Sequence, residues 1–438
     1  MRRAAGLTAA TALVALVLPA VAAAHATLTQ ATPATQSEVQ TPPTQVSLRF
    51  DQVVTSFGRS ILVYAPDGRI VSGTAKKVGD GHVVAEHVSG LRRGEAYTVR
   101  WRVTSADGHS PAGVFTFGVG VTPPPPTQAV GSGGTTWKDD LARWGLFAAL
   151  AFLIGPLVLR LVVLRGPVPP AFEKRINVLT TVAAFAAINV GITGFVLQAA
   201  NALQLSIGDL LYGDLQPFAE QTRFGEAFLV MTFGFGVVAA LLMLSWVFDR
   251  TEPKWAALGL SLVLLSGLSL SSHQATEPNS SKLSEFADWL HLVAACVWVG
   301  GVVTLAFCVW PAAPTLRRRA FIGFSKIAVA LVGVMVLAGA YLAYVRLPTV
   351  SDLWTTDYGR LLLFKSALVG IALAWGGFHH TFVRPRLEAG EDPPVRPSLV
   401  GESLVAITVL LAVALLVNAA PPQVDKTAST TSALPAGR

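Results

Sequence analysis

Two histidines and one aspartate in the first quarter of the chain have types and spacing that suit metal binding. Two arginines, an apolar stretch and three alanines predict a signal peptide over residues 1–24, which makes His25 the first mature residue. Its free α-amine and its imidazole can then chelate one ion together. Asp107 and His109, separated by one glycine, add a carboxylate oxygen and a third nitrogen. This set of ligands favours Cu(II), because Cu(I) prefers sulfur.

Spacing alone leaves an alternative open for each of these features. The first apolar stretch could stay attached as an anchor helix, although it is short for a membrane span of about 20 residues. The turn that holds Asp107 and His109 could be a solvated surface turn in which the aspartate caps its own backbone.

A second set of candidate residues lies within an apolar stretch much later in the chain. Asp288, His291, Ala295 and Trp298 follow steps of three and four residues, so they share one face of a helix. Ionisable side chains are costly inside a membrane and therefore indicate a functional site. The alternative is a histidine at the membrane interface that extends toward water.

Other polar side chains in the apolar stretches have less certain roles. His273 lies near the predicted outer end of a span. His379, near a predicted inner end, could relay an ion or lie at the membrane interface. A lysine and a glutamate within spans could pair with each other or bind water, and a cysteine near His291 could help to receive Cu(I). These residues are His273, His379, Lys365, Glu402 and Cys296.

The composition identifies the elements that must position these residues as membrane spans. Of 438 residues, 52% are hydrophobic and 13% are charged, against about 25% charged in soluble domains. The net charge of +7 is too small and too scattered to predict nucleic-acid binding. Two cysteines in one apolar run exclude a disulfide framework. Eight spans are predicted, at about 144–164, 176–199, 224–247, 255–270, 287–310, 321–345, 360–380 and 399–419.

The residues before the spans predict a separate extracytoplasmic domain. Alternating residues and frequent turns indicate a small all-β sandwich or barrel over residues 25–120. A Pro- and Gly-rich linker follows at 121–140, the membrane domain covers 141–420, and 421–438 read as a disordered tail. The predicted strands are 46–50, 61–64, 83–87, 97–103 and 114–119.

The basic residues predict the orientation of the spans. With the β-domain outside, eight spans return the C-terminus to the outside. The loops then expected inside hold most of the lysines and arginines, as the positive-inside rule requires. The chain is therefore predicted to be a multi-pass protein of the cytoplasmic membrane with both termini extracytoplasmic. The inner basic residues are Arg165, Lys174, Arg175, Arg250, Lys254, Arg317, Arg318, Arg319, Arg384, Arg386 and Arg396.

Short motifs in residues 25–120 resemble the periplasmic copper-binding CopC family. The resemblance implies a cupredoxin-like β-barrel and a Cu(II) site, a histidine brace at His25 completed by Asp107 and His109. No methionine lies between residues 25 and 120, so the methionine-rich Cu(I) site of some members is not expected. The motifs are His25-Ala26-Thr27-Leu28, Thr32-Pro33-Ala34, Pro42-Pro43, Leu48-Arg49-Phe50 and Ser105-Ala106-Asp107-Gly108-His109.

Motifs in roughly residues 140–420 resemble the CopD membrane-domain family. A CopC domain fused ahead of a CopD domain is typical of YcnJ-type copper uptake proteins. The resemblance implies that copper passes from the outer domain into the membrane. The motifs are Asp288-Trp289-Leu290-His291, Trp298-Val299-Gly300-Gly301, Tyr358-Gly359-Arg360 with Lys365, and Ser272-His273.

The leading prediction is a copper importer that is not an enzyme. Cu(II) would be captured by the brace and received at the bundle by Asp288, His291 and His273. No Walker motif or aspartyl-phosphate loop is present, so no ATP is expected to take part. The expected partners are the lipid bilayer, an extracytoplasmic copper donor and a cytoplasmic acceptor. The alternatives are copper resistance by sequestration or sensing without flux and, in another class, a membrane redox enzyme with copper or haem.

Overall fold

The computed structural model describes residues 26–124 apart from 27, 58 and 106–109, then 137–203, 219 and 223–270, and finally 281–418 apart from 348. Several predicted features lie outside the described residues. They are the signal peptide 1–24, the candidate ligands His25, Asp107, His109 and His273, most of the linker, and the tail 421–438.

The N-terminal domain is the predicted β-sandwich. One four-stranded sheet has the order β1-β3-β7-β6, the other has the order β2-β10-β8-β5, and β4 pairs with β9. All five predicted strands are present. Strands β1, β2 and β6 were not predicted, because their residues lack a clear alternation of apolar and polar side chains. The strands are β1 Leu28–Thr32, β2 Ser37–Val39, β3 Gln45–Phe50, β4 Val54–Thr55, β5 Ile61–Tyr64, β6 Lys76–Val78, β7 Val83–His87, β8 Glu95–Arg102, β9 Thr104–Ser105 and β10 Ala112–Val119.

The core of this domain follows from the two-residue period of its strands. Val46, Leu48 and Phe50 alternate along β3 and are fully buried, because every second side chain points to the same face. From the opposite sheet, Tyr97 stacks on Phe117 with their ring centroids 5.5 Å apart. The two inner faces therefore form one aromatic and aliphatic core.

A buried carboxyl group on β7 gives this domain a pH-dependent stability. Burial raises the pKa of Glu86 from 4.5 to about 7, and the Gly73 backbone and the Lys76 ammonium lower it only in part. Because the folded state holds the proton more tightly than the unfolded state, its contribution to stability is complete below pH 4.5 and is lost as the pH rises past 7.

We therefore expect Glu86→Gln to flatten the pH dependence of unfolding of the β-domain. A shift of this size corresponds to about 3 kcal/mol between pH 4 and pH 8, which the neutral amide does not lose. Thermal unfolding of the full chain in detergent at both pH values measures this. Glu38→Gln, at an exposed position, is the matched control and should behave like the parent. An equal pH dependence in Glu86→Gln and the parent would contradict the assignment.

The described residues that follow the β-domain contain eight long helices, besides a few short helical turns. Three of them continue as one π-helical turn each: α1 at Leu159–Val163, α5 at Leu305–Val309 and α7 at His379–Val383. The helix α1 begins inside the stretch predicted as linker. The helices are α1 Trp137–Val158, α2 Pro170–Leu203, α3 Arg223–Val247, α4 Glu252–Leu270, α5 Lys282–Thr304, α6 Arg317–Arg346, α7 Asp357–Phe378 and α8 Arg396–Asn418.

Seven described helical stretches are long and apolar enough to cross a membrane. They overlap every predicted span except the fourth, 255–270, which lies within the 19-residue helix α4. The prediction of about eight transmembrane helices is consistent with this arrangement. The seven stretches are Trp137–Val163, Pro170–Ala200, Gly225–Val247, Lys282–Ala312, Pro314–Arg346, Asp357–Glu388 and Arg396–Val417.

Helices α1 and α5 form the centre of the bundle, where glycines let their backbones touch. A Cβ atom on Gly155 of α1 would lie 2.4 Å from the Cα of Gly300 on α5. A Cβ atom on Gly300 would lie 1.9 Å from the backbone oxygen of Ala151. Small residues at such a crossing allow close van der Waals packing between membrane helices.

The β-domain contacts the membrane bundle through Phe57, which follows β4. Its side chain packs against a small apolar cluster on α2 and α3 that includes Phe195, Ala199 and Phe228. The rings of Phe195 and Phe228 stack with their centroids 4.1 Å apart. Phe228 also lines the internal cavity described below, so the β-domain rests beside that cavity.

Candidate functional site

A cavity of about 600 Å³ lies within the helical bundle, and all eight long helices contribute residues to it. Most of the lining is apolar, with a minority of polar side chains. The formally charged ones are three basic and two acidic residues. The polar lining residues are Asp139, Arg143, Gln198, Thr232, Asp288, His291, Arg346, Lys365 and Ser366.

The helical face predicted on α5 forms one wall of this cavity. Asp288, His291, Ala295 and Trp298 all line it, as their steps of three and four residues predict. The first two lie in the N-terminal half of α5 and bring polar atoms into otherwise apolar surroundings. The structure therefore brings these four sequence-predicted residues together.

Hydrogen bonding determines which nitrogen of His291 is available to a ligand. Its Nδ1 lies 3.0 Å from the backbone oxygen of Met335 on α6. A carbonyl oxygen can only accept, so Nδ1 carries the hydrogen and Nε2 of the neutral ring keeps its lone pair. Gly339, one turn later on α6, makes room for the ring, because a Cβ atom there would lie 3.1 Å from the His291 Cε1.

The second ring nitrogen of His291, Nε2, faces Lys365 on α7. The Lys365 Nζ lies 3.5 Å from the His291 Nε2, at the long limit of a hydrogen bond. The sequence left open whether Lys365 pairs with Glu402. In the structure Lys365 faces His291, and Glu402 contacts His379. A metal ion could bind at Nε2 if the lysine side chain moved aside, since a neutral imidazole nitrogen is a common metal ligand.

No preformed metal cluster occurs in the part of the chain that the structure describes. Nowhere there do three or more histidine, cysteine, aspartate or glutamate side chains lie close enough to hold one ion together. Within the cavity, His291 and Asp288 offer one nitrogen and one carboxylate. Such a sparse set suits passing an ion on better than holding it.

The predicted inner histidine, His379, has a different environment. Its side chain is buried, its Nδ1 lies 3.0 Å from the Glu402 Oε2, and its Nε2 lies 2.8 Å from the Ser398 Oγ. The Trp375 indole donates to the same serine oxygen at 2.9 Å. Both ring nitrogens of His379 are therefore engaged. His380 is exposed, as expected for a neighbour about 100° away around the helix.

Cys296 lies away from the cavity. It is fully buried in the main apolar core, and it is not among the residues that line the cavity with His291. Five residues along a helix correspond to a rotation of about 140°, so a cysteine at this spacing faces away from His291. Spacing alone could have shown this.

A buried ionic cluster at the end of the bundle where the inner loops are predicted was missed from the sequence. Glu173 on α2 accepts from Arg160 of the first π-helical turn at 2.6 Å and also contacts the Lys254 ammonium on α4. It joins three helices, and all its members lie near predicted inner loops. An arginine inside the first predicted span was the available signal.

Two of the predicted copper ligands, at positions 107 and 109, are flanked along the chain by buried residues. These are Ser105 and Ser110. The Thr104 and Ser110 hydroxyls lie 3.3 Å apart, so the two flanking segments are close together. Ala26, next to His25, is buried in the sandwich core. The chain segments beside all three candidate ligands are thus anchored in the domain.

The architecture defines a class: a small β-sandwich joined to a multi-pass membrane bundle with a polar-lined cavity. Three family descriptions match successive parts of the chain. They are the CopC domain over residues 28–120, the copper resistance protein D-like N-terminal domain over 136–281, and copper resistance protein D over 318–420. The chain therefore combines a CopC domain with a CopD membrane domain.

Two curated relatives share this membrane part. The copper transport protein CutJ of Bacillus subtilis (strain 168) is 25% identical over 431 residues, covering 92% of this chain and 76% of the relative. The copper resistance protein D of Pseudomonas syringae pv. tomato is 28% identical over 268 residues, covering 56% of this chain and 82% of the relative.

Solved CopC structures are similar to the N-terminal domain. CopC from Methylosinus trichosporium OB3b is 32% identical with a TM-score of 0.21, covering 22% of this chain and 93% of that structure. PcoC, a methionine-rich copper resistance protein from Escherichia coli, is 23% identical with a TM-score of 0.20, covering 22% of this chain and 99% of that structure.

Proposed function

We propose that this protein imports copper across the cytoplasmic membrane. The observation that carries the proposal is His291, which lines the cavity of a CopD membrane domain and whose Nδ1 is held by the Met335 oxygen, so that Nε2 keeps its lone pair opposite Lys365. The names of the two curated relatives, a copper transport protein and a copper resistance protein, support copper as the cargo. Copper is thus the substrate of the bundle.

The first step is capture of Cu(II) by the β-domain. His25 supplies its amine and imidazole, and Asp107 and His109 complete the coordination. The burial of the flanking residues Ala26, Ser105 and Ser110 supports this step, because it anchors the chain segments that carry the ligands. Nitrogen and carboxylate ligands are the set that Cu(II) prefers.

The second step is transfer to the cavity, where Asp288 and His291 receive the ion. The contact of Phe57 with the α2–α3 cluster supports this order, since it holds the β-domain beside the cavity. His379 is not included in this copper path, because it is not among the residues that line the cavity and its ring contacts Glu402 and Ser398 instead. His273 joins the proposed entrance on the strength of its sequence position alone.

The direction of import rests on the charges of the loops. The predicted inner loops are rich in arginine and lysine, which supports an extracytoplasmic β-domain and C-terminus. Copper captured by the β-domain then enters the bundle from outside. A protein that sequesters copper without flux would need the outer site and not the cavity histidine.

Copper uptake by cells that lack other importers tests this function. At limiting copper, we expect His25→Ala to lower copper uptake at least about tenfold. Replacing a residue that only supports a metal ligand already lowers metal affinity or activity about tenfold, and His25 is itself a proposed ligand. His87→Ala, at an exposed position on β7, is the matched control and should transport like the parent. If His25→Ala cells accumulate copper normally but become sensitive to excess copper, the protein sequesters copper and import is wrong.

A further inference from the structure

A buried chain of hydrogen bonds links α7 and α8 at the inner end of the bundle. It runs from the Glu402 carboxylate to the His379 imidazole, then to the Ser398 hydroxyl. The histidine and the glutamate are each only 5% exposed. The ring of Phe321 on α6 covers the imidazole edge-on, with the two centroids 5.7 Å apart.

We propose that the His379–Glu402 pair carries a proton and couples copper movement to proton flow. The inference rests on the proposed function, since it supplies a driving force for that transport. Burying an ionisable pair in an apolar bundle is costly, and well-packed apolar residues could join two helices as firmly. Membrane proteins place such carboxylate and histidine chains where protons move.

The hydrogen-bond directions define one complete proton step. The Glu402 carboxylate can only accept, so Nδ1 of the neutral His379 ring carries the hydrogen, and Nε2 accepts from the Ser398 hydroxyl, whose oxygen in turn accepts from the Trp375 indole. The Nδ1 hydrogen of that neutral ring then points to Glu402. A proton arriving at Nε2 forms a new N–H bond, and the Nδ1 proton passes to the carboxylate. Release of this proton from Glu402 leaves the ring as its Nε2–H tautomer, and a rotation of the imidazole restores the Nδ1–H tautomer for the next proton, with no redox change.

The pair is separate from the copper cavity but shares its helices. The cavity reaches Leu373 on α7, about 9 Å along the helix before His379. Trp375 lies between them and packs tightly on α8, where a Cβ atom on Gly401 would lie 2.7 Å from its ring. A movement of α7 that shifts Lys365 at the cavity would also move His379. This shared helix is the physical basis for coupling.

The charged groups on the elements around the His379–Glu402 pair are exposed, are paired with other residues or lie at the opposite end of the bundle. Arg317 on α6 pairs with Asp392, and Arg384, which follows the last π-helical turn, pairs with Glu388. Lys326, His380 and Arg396 are exposed. In the π-helical turn after α1, Arg160 pairs with Glu173. The other charged residues of α1 and α5 lie toward their outer ends: Lys138, Asp139, Asp140, Arg143, Lys282, Glu285 and Asp288.

Copper accumulation by the full chain in proteoliposomes tests the proposal. Cu(II), with and without ascorbate, is added outside, the potential is clamped with potassium and valinomycin, and a pH difference of one unit is imposed. For one proton per copper, the accumulation ratio should shift by about tenfold in the parent. The shift should vanish in Glu402→Gln and persist in Glu402→Asp. Glu388→Gln, an exposed carboxylate at the same end of the bundle, is the control.

Each outcome decides the proposal. If the parent accumulates copper equally with and without the pH difference, proton coupling is overturned and import stays intact. If the parent accumulates no copper, import itself is overturned. A folded Glu402→Gln variant that keeps the tenfold shift also overturns the assignment to this pair. If Glu402→Gln does not fold, Ser398→Ala interrupts the same chain at the hydroxyl and should weaken the shift.

Discussion

Replacement of His291 by glutamine is expected to lower copper entry at least tenfold while the protein stays folded. The glutamine amide can still donate to the Met335 oxygen and accept from Lys365, the two contacts that the imidazole makes. It removes the nitrogen lone pair, the strongest ligand for copper in the cavity. Replacing a residue that only supports a metal ligand lowers metal affinity or activity at least about tenfold, so loss of the ligand itself should lower copper uptake by at least as much. Initial copper uptake at limiting copper measures the effect.

The control for this variant is another histidine of the membrane domain. His380→Gln changes an exposed side chain next to His379 and should leave copper uptake unchanged. Cu(II) binding by the β-domain should be equal in all three proteins, since the outer ligands are intact. Equal uptake by the parent and His291→Gln would show that copper does not pass the His291 imidazole.

The second large effect is expected at the central helix crossing, where Gly300→Ala should destabilise the bundle by at least about 2 kcal/mol. The added methyl group would lie 1.9 Å from the Ala151 oxygen and 2.9 Å from the Gly155 Cα. Both are backbone atoms, so α1 and α5 must move apart. Thermal unfolding in detergent should occur several degrees lower, and uptake should fall with the amount of folded protein.

A glycine elsewhere in the bundle provides the matched control. Gly333 on α6 has no atom within 4 Å of the position that a Cβ would take. Gly333→Ala should therefore be neutral or slightly stabilising, because alanine is the better helix former. If both alanine variants unfold at the parent's temperature, close contact at Gly300 does not stabilise the bundle.

The periodicities of the sequence were sufficient for the elements and for one face of the site. A period of two predicted the five main strands, and long apolar runs predicted the helices of the bundle. The steps between Asp288, His291 and Trp298 placed them on one wall of the cavity. These features depend on residues near one another in the chain, so local geometry is enough to predict them.

The partners of the buried polar groups were decided by the tertiary structure alone. Lys365 and Glu402 were open to pairing with each other, but the lysine faces His291 and the glutamate contacts His379. The residues that join are 74 and 23 positions apart along the chain. No period relates such positions. Which ones meet depends on how the helices cross and rotate, and the glycine contact between α1 and α5 is one determinant of that packing.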